Sequence, residues 1–312
     1  MTIEQARVRA VRKPWGASDL QPWSDISGAV DAVGELWFER ADEFGPAPAL
    51  LIKLLFTSAP LSIQVHPDDT FARAMGLPNG KSEAWYILSA KPGARIGIGL
   101  THRVTPQQLR TSITDGSIVE LVQWRPVANG DVVFIPAGTI HALSAGIVLA
   151  EIQQRSDTTF RLFDYDRARD LDIDSGIAVA NAWPLRPQAN PIRLSDERVA
   201  LIASRHFVLE RIDLQPASSW ALLAEPETWI LVLGGHAAIG LSLVSIGQAL
   251  FVGGGRNSIE VGADGLTVLV AYPAARPVAA LLQRLGGRSV EIIEPAVVPD
   301  AATSAALSEA RT

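Results

Sequence analysis

Three polar side chains of different chemistry stand at alternate positions in the stretch LSIQVHPDD, residues 61–69: Ser62, Gln64 and His66. Residues two apart on a strand project from the same face. A hydroxyl, an amide and an imidazole therefore form one row, while Ile63 and Val65 point the other way. Glu83 follows the turn-like PNGKS, and His141 follows a punctuated run in which Gly130, Pro136 and Gly138 precede it. Gly130 ends a turn, the Pro136–Gly138 corner is tight, and His141 emerges on the next strand facing inward. Two imidazoles, a carboxylate and an amide oxygen make a borderline-hard ligand set, suited to Zn2+ or a similar divalent ion. The interior of a small barrel is normally filled with apolar side chains. A polar row there costs desolvation unless a metal, a ligand or hydrogen bonds satisfy it, which favours a site over a decorated surface.

These donors need rigid elements. Short β-like stretches separated by Gly and Pro run through 34–40, 49–58, 61–66, 83–88, 95–100, 130–143, 146–154 and 157–166. That spacing predicts an antiparallel sandwich or barrel. Residues 105–124 break the pattern: Thr105-Pro106 reads as an N-cap and first turn, and Gly116 divides one or two short helices. β-like segments resume from about 206. A weak repeat aligns Gly130 with Gly247, Pro136 with Gly253, Gly138 with Gly255 and His141 with Ser258. Two related barrels explain it, the second without the histidine. The expected organisation is a catalytic domain over 1–170 with its insert near 105–124, a connection over 171–195, a degenerate β domain over 196–288, and a tail over 289–312 containing a short helix.

Composition narrows the function. The net charge of −6 argues against a nucleic-acid partner, which would call for a basic stripe. Cysteine is absent, so thiolate metal sites, disulfides and Cys nucleophiles are excluded. No run of about 18 apolar residues and no apolar leader are visible, so a soluble cytoplasmic protein with no membrane partner is expected. The oligomeric state is not legible.

The Gly-Pro-Gly-His pattern resembles the second motif of the cupin superfamily, with Ala145 where that motif has Asn. LSIQVHPDD, GKSEAWYIL, IPAGTIHAL and EIQQRSDTTFRLFDYDR, with KPWG at 13–16, resemble the class I mannose-6-phosphate isomerases in their short bacterial form. The resemblance covers most of residues 10–170; the C-terminal half shares only general character. It implies an all-β-dominant fold of two cupin-like jelly-roll barrels with a short helical insert. It also implies interconversion of mannose 6-phosphate and fructose 6-phosphate through a cis-enediol, with one Zn2+ per chain. Carried over by motif, the metal ligands are Gln64, His66, Glu83 and His141, and the substrate and phosphate contacts are Lys53, Ser62 and Lys81. Arg161 would place positive charge beside the enediolate. Glu151 is either the base or a carboxylate that orients a ligand, a metal-bound water being the other candidate base. The insert is short beside that of long family members, which implies a more open approach to the site. Two other readings stand beside this one: another metal-dependent cupin enzyme such as an oxygenase, and a non-catalytic sugar-binding or regulatory cupin. Elsewhere, Gly253–Gly255 reads as a turn, Trp85 as core or cleft wall, Asp164 and Asp166 as an arginine partner or a solvated edge, and His102, His206 and His236 as structural or exposed.

Overall fold

A computed structural model describes residues 3–26, 32–185 and 188–286; the tail expected over 289–312 lies outside the described residues. Antiparallel strands form three sheets. The first runs in the order Arg7–Ala17, Val33–Glu39, Leu50–Thr57, Ile147–Gln154, Glu83–Ala90, Val132–Ile135. The second runs Phe160–Phe163, Ile63–Val65, His141–Leu143, Arg95–Leu100, Val122–Pro126. The two lie face to face, and side chains from both meet in one interior cluster: Leu55, Trp85, Ile87, Val133 and Leu149 from the first, Ile96, Ile98 and Leu143 from the second.

The third sheet has ten strands, built around the 18-residue strand Gly255–Tyr272. One of its faces packs on the outside of the first sheet. Leu36, Phe38, Ile52, Leu54, Phe56 and Ile152 there meet Phe207, Leu209, Trp229, Leu231, Phe251 and Leu269. Its alternate residues enclose a separate core around Val208, Ile230, Val268 and Tyr272. This is why LLIKLLFT, residues 50–57, reads as almost continuously apolar: every residue of that strand is buried, with packing on both faces. Lys53 is its one charged member.

Three local features depart from the sequence reading. Ile3–Gln5 pairs with Ala249–Val252, so the first strand belongs to the C-terminal sheet and not to the 1–170 unit. Arg7–Ala17 is an eleven-residue strand that is mostly exposed along its first eight residues, so no buried alternation marks it in the sequence. The segment 171–195 is more than a link: it holds the helix Ile173–Val179. In the insert, Pro106–Thr114 is helical with a reciprocal Thr105–Gln108 capping box, Gly116 adopts φ +81°, and a further turn spans Ile118–Leu121. From Val122 the chain is already strand. These helices cover the outer face of the second sheet, where Ile63, Val65 and Leu162 meet Leu109, Ile113, Ile118 and Ile177.

The repeat has a backbone counterpart. Gly130 and Gly247 have φ +89° and +79°, and Gly138 and Gly255 have +85° and +92°. Among the described residues no helix is long and apolar enough to cross a membrane.

Candidate metal centre

The side chains buried between the first two sheets fall into an apolar group and a polar group. On the first sheet the inward polar row is set by register: Trp37 opposite Lys53, Lys53 opposite Glu151, Glu151 opposite Trp85, with Gln153 opposite Glu83. On the second sheet Arg161 stands opposite Gln64, and Gln64 opposite His141. The alternation in SIQVH thus turns Gln64 inward while Ile63 and Val65 go to the helices.

Two glycine-bearing turns bring the remaining donors in. A Cβ on Gly80 would lie 2.4 Å from Asp68 C and Pro67 O, so only glycine lets GKSE pass the HPDD turn. Lys81 N–H then donates to Pro67 O at 3.0 Å. At Gly138 the left-handed φ and the close approach of Asn181 again require glycine. Its N–H donates to His66 O (2.8 Å), and Ser82 Oγ accepts from Ala137 N–H (3.2 Å), which ties the Pro-Ala-Gly corner to both other motifs.

His66, Glu83 and His141 are each about 1 % exposed at their side chains, and their donor atoms lie within 4.8 Å of one another. Each imidazole gives its Nδ1–H to a backbone carbonyl: His66 to Thr158 O (2.9 Å) and His141 to Thr139 O (2.8 Å). Those bonds fix the tautomer and leave both Nε2 lone pairs facing Glu83, each 3.5 Å from one of its oxygens. Burial, with the nearby Lys81 charge, lowers His66 well below its ordinary range, and burial lowers His141. Both rings are therefore neutral, as metal ligation needs. Gln64 places its amide 3.3 Å from His141 Nε2, and its Oε1 accepts from Ser62 Oγ (3.0 Å). Turning the amide over would present oxygen to the centre, with the Ser62 hydroxyl accepting instead.

Lys81 Nζ lies among these groups, 2.8 Å from Glu83 Oε2, 3.0 Å from Glu151 Oε1 and 3.3 Å from His66 Nε2. The two carboxylate contacts are ion pairs lacking hydrogen-bond alignment, since neither oxygen has a hydrogen-bonded partner. Burial works against ionising Glu83, but Lys81 outweighs it and holds the carboxyl down. Burial and the Glu83 charge push Glu151 up, against Lys81. Lys81 itself is raised despite burial, by Glu151 and Glu83.

Buried polar atoms without a hydrogen-bond partner concentrate here. Among the described residues they include Glu83 Oε2, Trp85 Nε1, Glu151 Oε1, Gln153 Oε1 and Arg161 Nε. An orphaned buried group costs about 1–3 kcal/mol. Four of these lie on the first sheet and Arg161 on the second; with the two carboxylate oxygens ion-paired to Lys81, Trp85 Nε1, Gln153 Oε1 and Arg161 Nε are left unmatched, which argues that this polar interior is built for occupants. The donor set fits a divalent ion: two neutral imidazole nitrogens, an ionised carboxylate and an amide oxygen.

The other candidates separate. Lys53, 2 % exposed, has its Nζ 2.9 Å from Asp157 Oδ1, 3.6 Å from Glu35 Oε2 and 4.1 Å from the Trp37 ring centre. Arg161, half-buried, donates through Nη1 to Asp170 O at 2.9 Å. Lys81 lies among the candidate metal ligands, Lys53 pairs with Asp157, and the Ser62 hydroxyl is engaged by Gln64. Sequence reasoning missed Asp157, Glu35 and Gln153. The alternation of Glu35, Trp37 and Glu39 on one strand was the only local signal for any of them. Asp164 is the arginine partner: it is buried and accepts from Arg167 and Arg169. Trp85 is both core and wall, its ring edge-on to His141 at 5.6 Å.

Against known proteins, no family model matches. The mannose-6-phosphate isomerase of Streptococcus mutans is 33 % identical over 225 residues, 67 % of this chain and 69 % of that protein. The mannose-6-phosphate isomerase ManA of Bacillus subtilis is 40 % identical over 158 residues, 47 % of this chain and half of that protein's length. Among solved structures, the mannose 6-phosphate isomerase of Bacillus subtilis superposes with a TM-score of 0.77 at 23 % identity, covering 87 % of this chain and all of that one. A zinc-bound mannose 6-phosphate isomerase superposes at 0.67 and 15 % identity, covering 88 % of this chain and all of that one, a likeness of fold.

Proposed function

Because the chain belongs to the mannose-6-phosphate isomerase family, we infer that it interconverts mannose 6-phosphate and fructose 6-phosphate, with a Zn2+ ion held by Gln64, His66, Glu83 and His141. The observation that carries this reading is the pair of tautomer-fixed Nε2 atoms converging on buried Glu83. When bound there, the ion supplies Lewis-acid stabilisation of negative charge on substrate oxygen.

The chain's own residues do the rest. Aldose–ketose interconversion moves a proton between C1 and C2 through a cis-enediol. Glu151 is the group poised to carry it, because its carboxyl is raised by burial and by Glu83 while Lys81 stands 3.0 Å away to stabilise the ionised form. Arg161, one strand from Gln64, offers fixed positive charge with a buried Nε still to be satisfied. Lys81 keeps Glu83 ionised, so any contact it makes with substrate is at the reacting end. Ser62 orients Gln64. Lys53, across the sheet from Glu151, is left as the phosphate contact, and binding there holds C1 and C2 toward the metal centre. Phosphorylated sugars are charged and do not cross membranes, so we place the activity in the cytoplasm.

The test is a coupled assay for fructose 6-phosphate formed from mannose 6-phosphate, before and after chelation. Turnover lost on chelation and restored by Zn2+ supports the reading. Binding of the phosphosugar without turnover at any metal loading would leave a sugar-binding protein instead.

A further inference from the structure

We propose that Asp157 occupies the phosphate subsite at Lys53 when no substrate is bound, and that the phosphate of the incoming sugar takes its place. The proposal deepens the phosphosugar reading and rests on it.

The Lys53 ammonium has three neighbours that differ in exposure and in the partners that hold them. Glu35 is buried and fixed, its Oε2 accepting from Trp37 Nε1 at 2.6 Å and its Oε1 3.1 Å from Lys13 Nζ. Trp37 covers the ammonium with its ring face, and the guanidinium of Arg9 lies 4.2 Å from the centre of the same ring. Asp157 is different. It makes the shortest contact, 2.9 Å, yet its side chain is 53 % exposed while that of Lys53 is 2 % exposed. A phosphate dianion entering beside Asp157 and Glu35 would crowd anionic groups onto one buried ammonium; the Lys13 ammonium nearby is already paired with Glu35, so the repulsion falls on Asp157. The carboxylate that leaves most readily is the one already half in water.

The backbone limits how it leaves. Ser156 O accepts from Gln153 Nε2, and Thr158 O accepts from His66 Nδ1 at 2.9 Å. Both peptide neighbours of Asp157 are therefore anchored to buried residues, Gln153 and His66. The exchange is a rotation of one side chain and not the opening of a loop. It also makes Asp157 a specificity-determining residue, since a sugar without phosphate has no charge with which to displace it.

The experiment titrates inorganic phosphate into the zinc-loaded protein and measures KM for mannose 6-phosphate beside affinity for unphosphorylated mannose. Wild type, Asp157→Asn, Lys53→Met and the double variant are compared. Asp157→Asn is expected to tighten phosphate and lower KM for the phosphosugar by roughly tenfold, leaving mannose unmoved, and to have no effect in the Lys53→Met background. Should Asp157→Asn leave phosphate affinity unchanged or weaken it while Lys53→Met weakens it, the exchange is wrong and the Lys53 subsite stands. Should Lys53→Met also leave phosphate binding unchanged, the subsite itself is misassigned and the exchange falls with it.

Discussion

Lys81→Met removes one ammonium from between two buried carboxylates while keeping the length of the side chain. In the wild type that ammonium lies 2.8 Å from Glu83 and 3.0 Å from Glu151, with all three side chains at most 5 % exposed. At an effective dielectric near 20, a unit-charge pair about 3 Å apart attracts by roughly 6 kcal/mol. Two such contacts must offset a desolvation cost of several kcal/mol for the ammonium. Breaking a buried pair from one side leaves the expected net loss, about 3–5 kcal/mol in the metal-free protein. Denaturant unfolding of chelated protein near neutral pH, followed by tryptophan fluorescence, measures it. A divalent ion replaces the missing charge, so saturating Zn2+ should close most of the gap. Zinc should also bind the variant at least about tenfold more tightly, because a repelling cation 3.3 Å from His66 Nε2 is gone. A metal-free variant within 1 kcal/mol of wild type would refute the claim that Lys81 compensates the carboxylates. A gap that zinc leaves untouched would refute the placement of the ion beside Glu83.

Three further outcomes concern Arg161, Glu83 and the C-terminal sheet. Arg161→Ala should retain stoichiometric metal and lose roughly 10²–10³-fold in turnover, since its charge acts on the reacting oxygens and not on the ion; metal content and rate are measured on the same sample. Glu83 is held at about 2, against an ordinary 4.5, so its stabilising contribution is present above pH 4.5 and lost as pH falls from there toward 2. The stability difference between metal-free wild type and Glu83→Gln should shrink across that window in a pH series of denaturant melts. In the C-terminal sheet, buried Glu210 accepts from Arg198 at 2.8 Å through both oxygens and from the Tyr272 hydroxyl. Tyr272→Phe should cost about 1.5–3 kcal/mol, the worth of a hydrogen bond to a charged group, with kinetic constants unchanged; a shift in KM would show that this sheet reaches the active cavity.

The chemistry was legible wherever it rests on short-range periodicity. Ser62-x-Gln64-x-His66 announces a shared strand face, and the glycines at 80, 130 and 138 announce turns that only glycine can make. The residues that neutralise Lys53 were not legible. Asp157 reaches it across 104 positions and Glu35 from a neighbouring strand, so only register brings them together. Arg7–Ala17 escaped for a related reason: Arg7 and Arg9 pair with Glu39 and Glu43, which hides a strand behind a charged stretch. The role of the C-terminal half was equally hidden. Its sheet packs on the back of the strands that carry Lys53, Glu83 and Glu151, a long-range apolar contact that no local pattern encodes.

Anomalous diffraction at the zinc edge, from crystals grown with the metal, tests the central claim most directly. One strong peak per chain is expected, within bonding distance of His66 Nε2, His141 Nε2, Glu83 and the Gln64 amide oxygen. A zinc-loaded, active enzyme whose only peak lies away from these four side chains would contradict it.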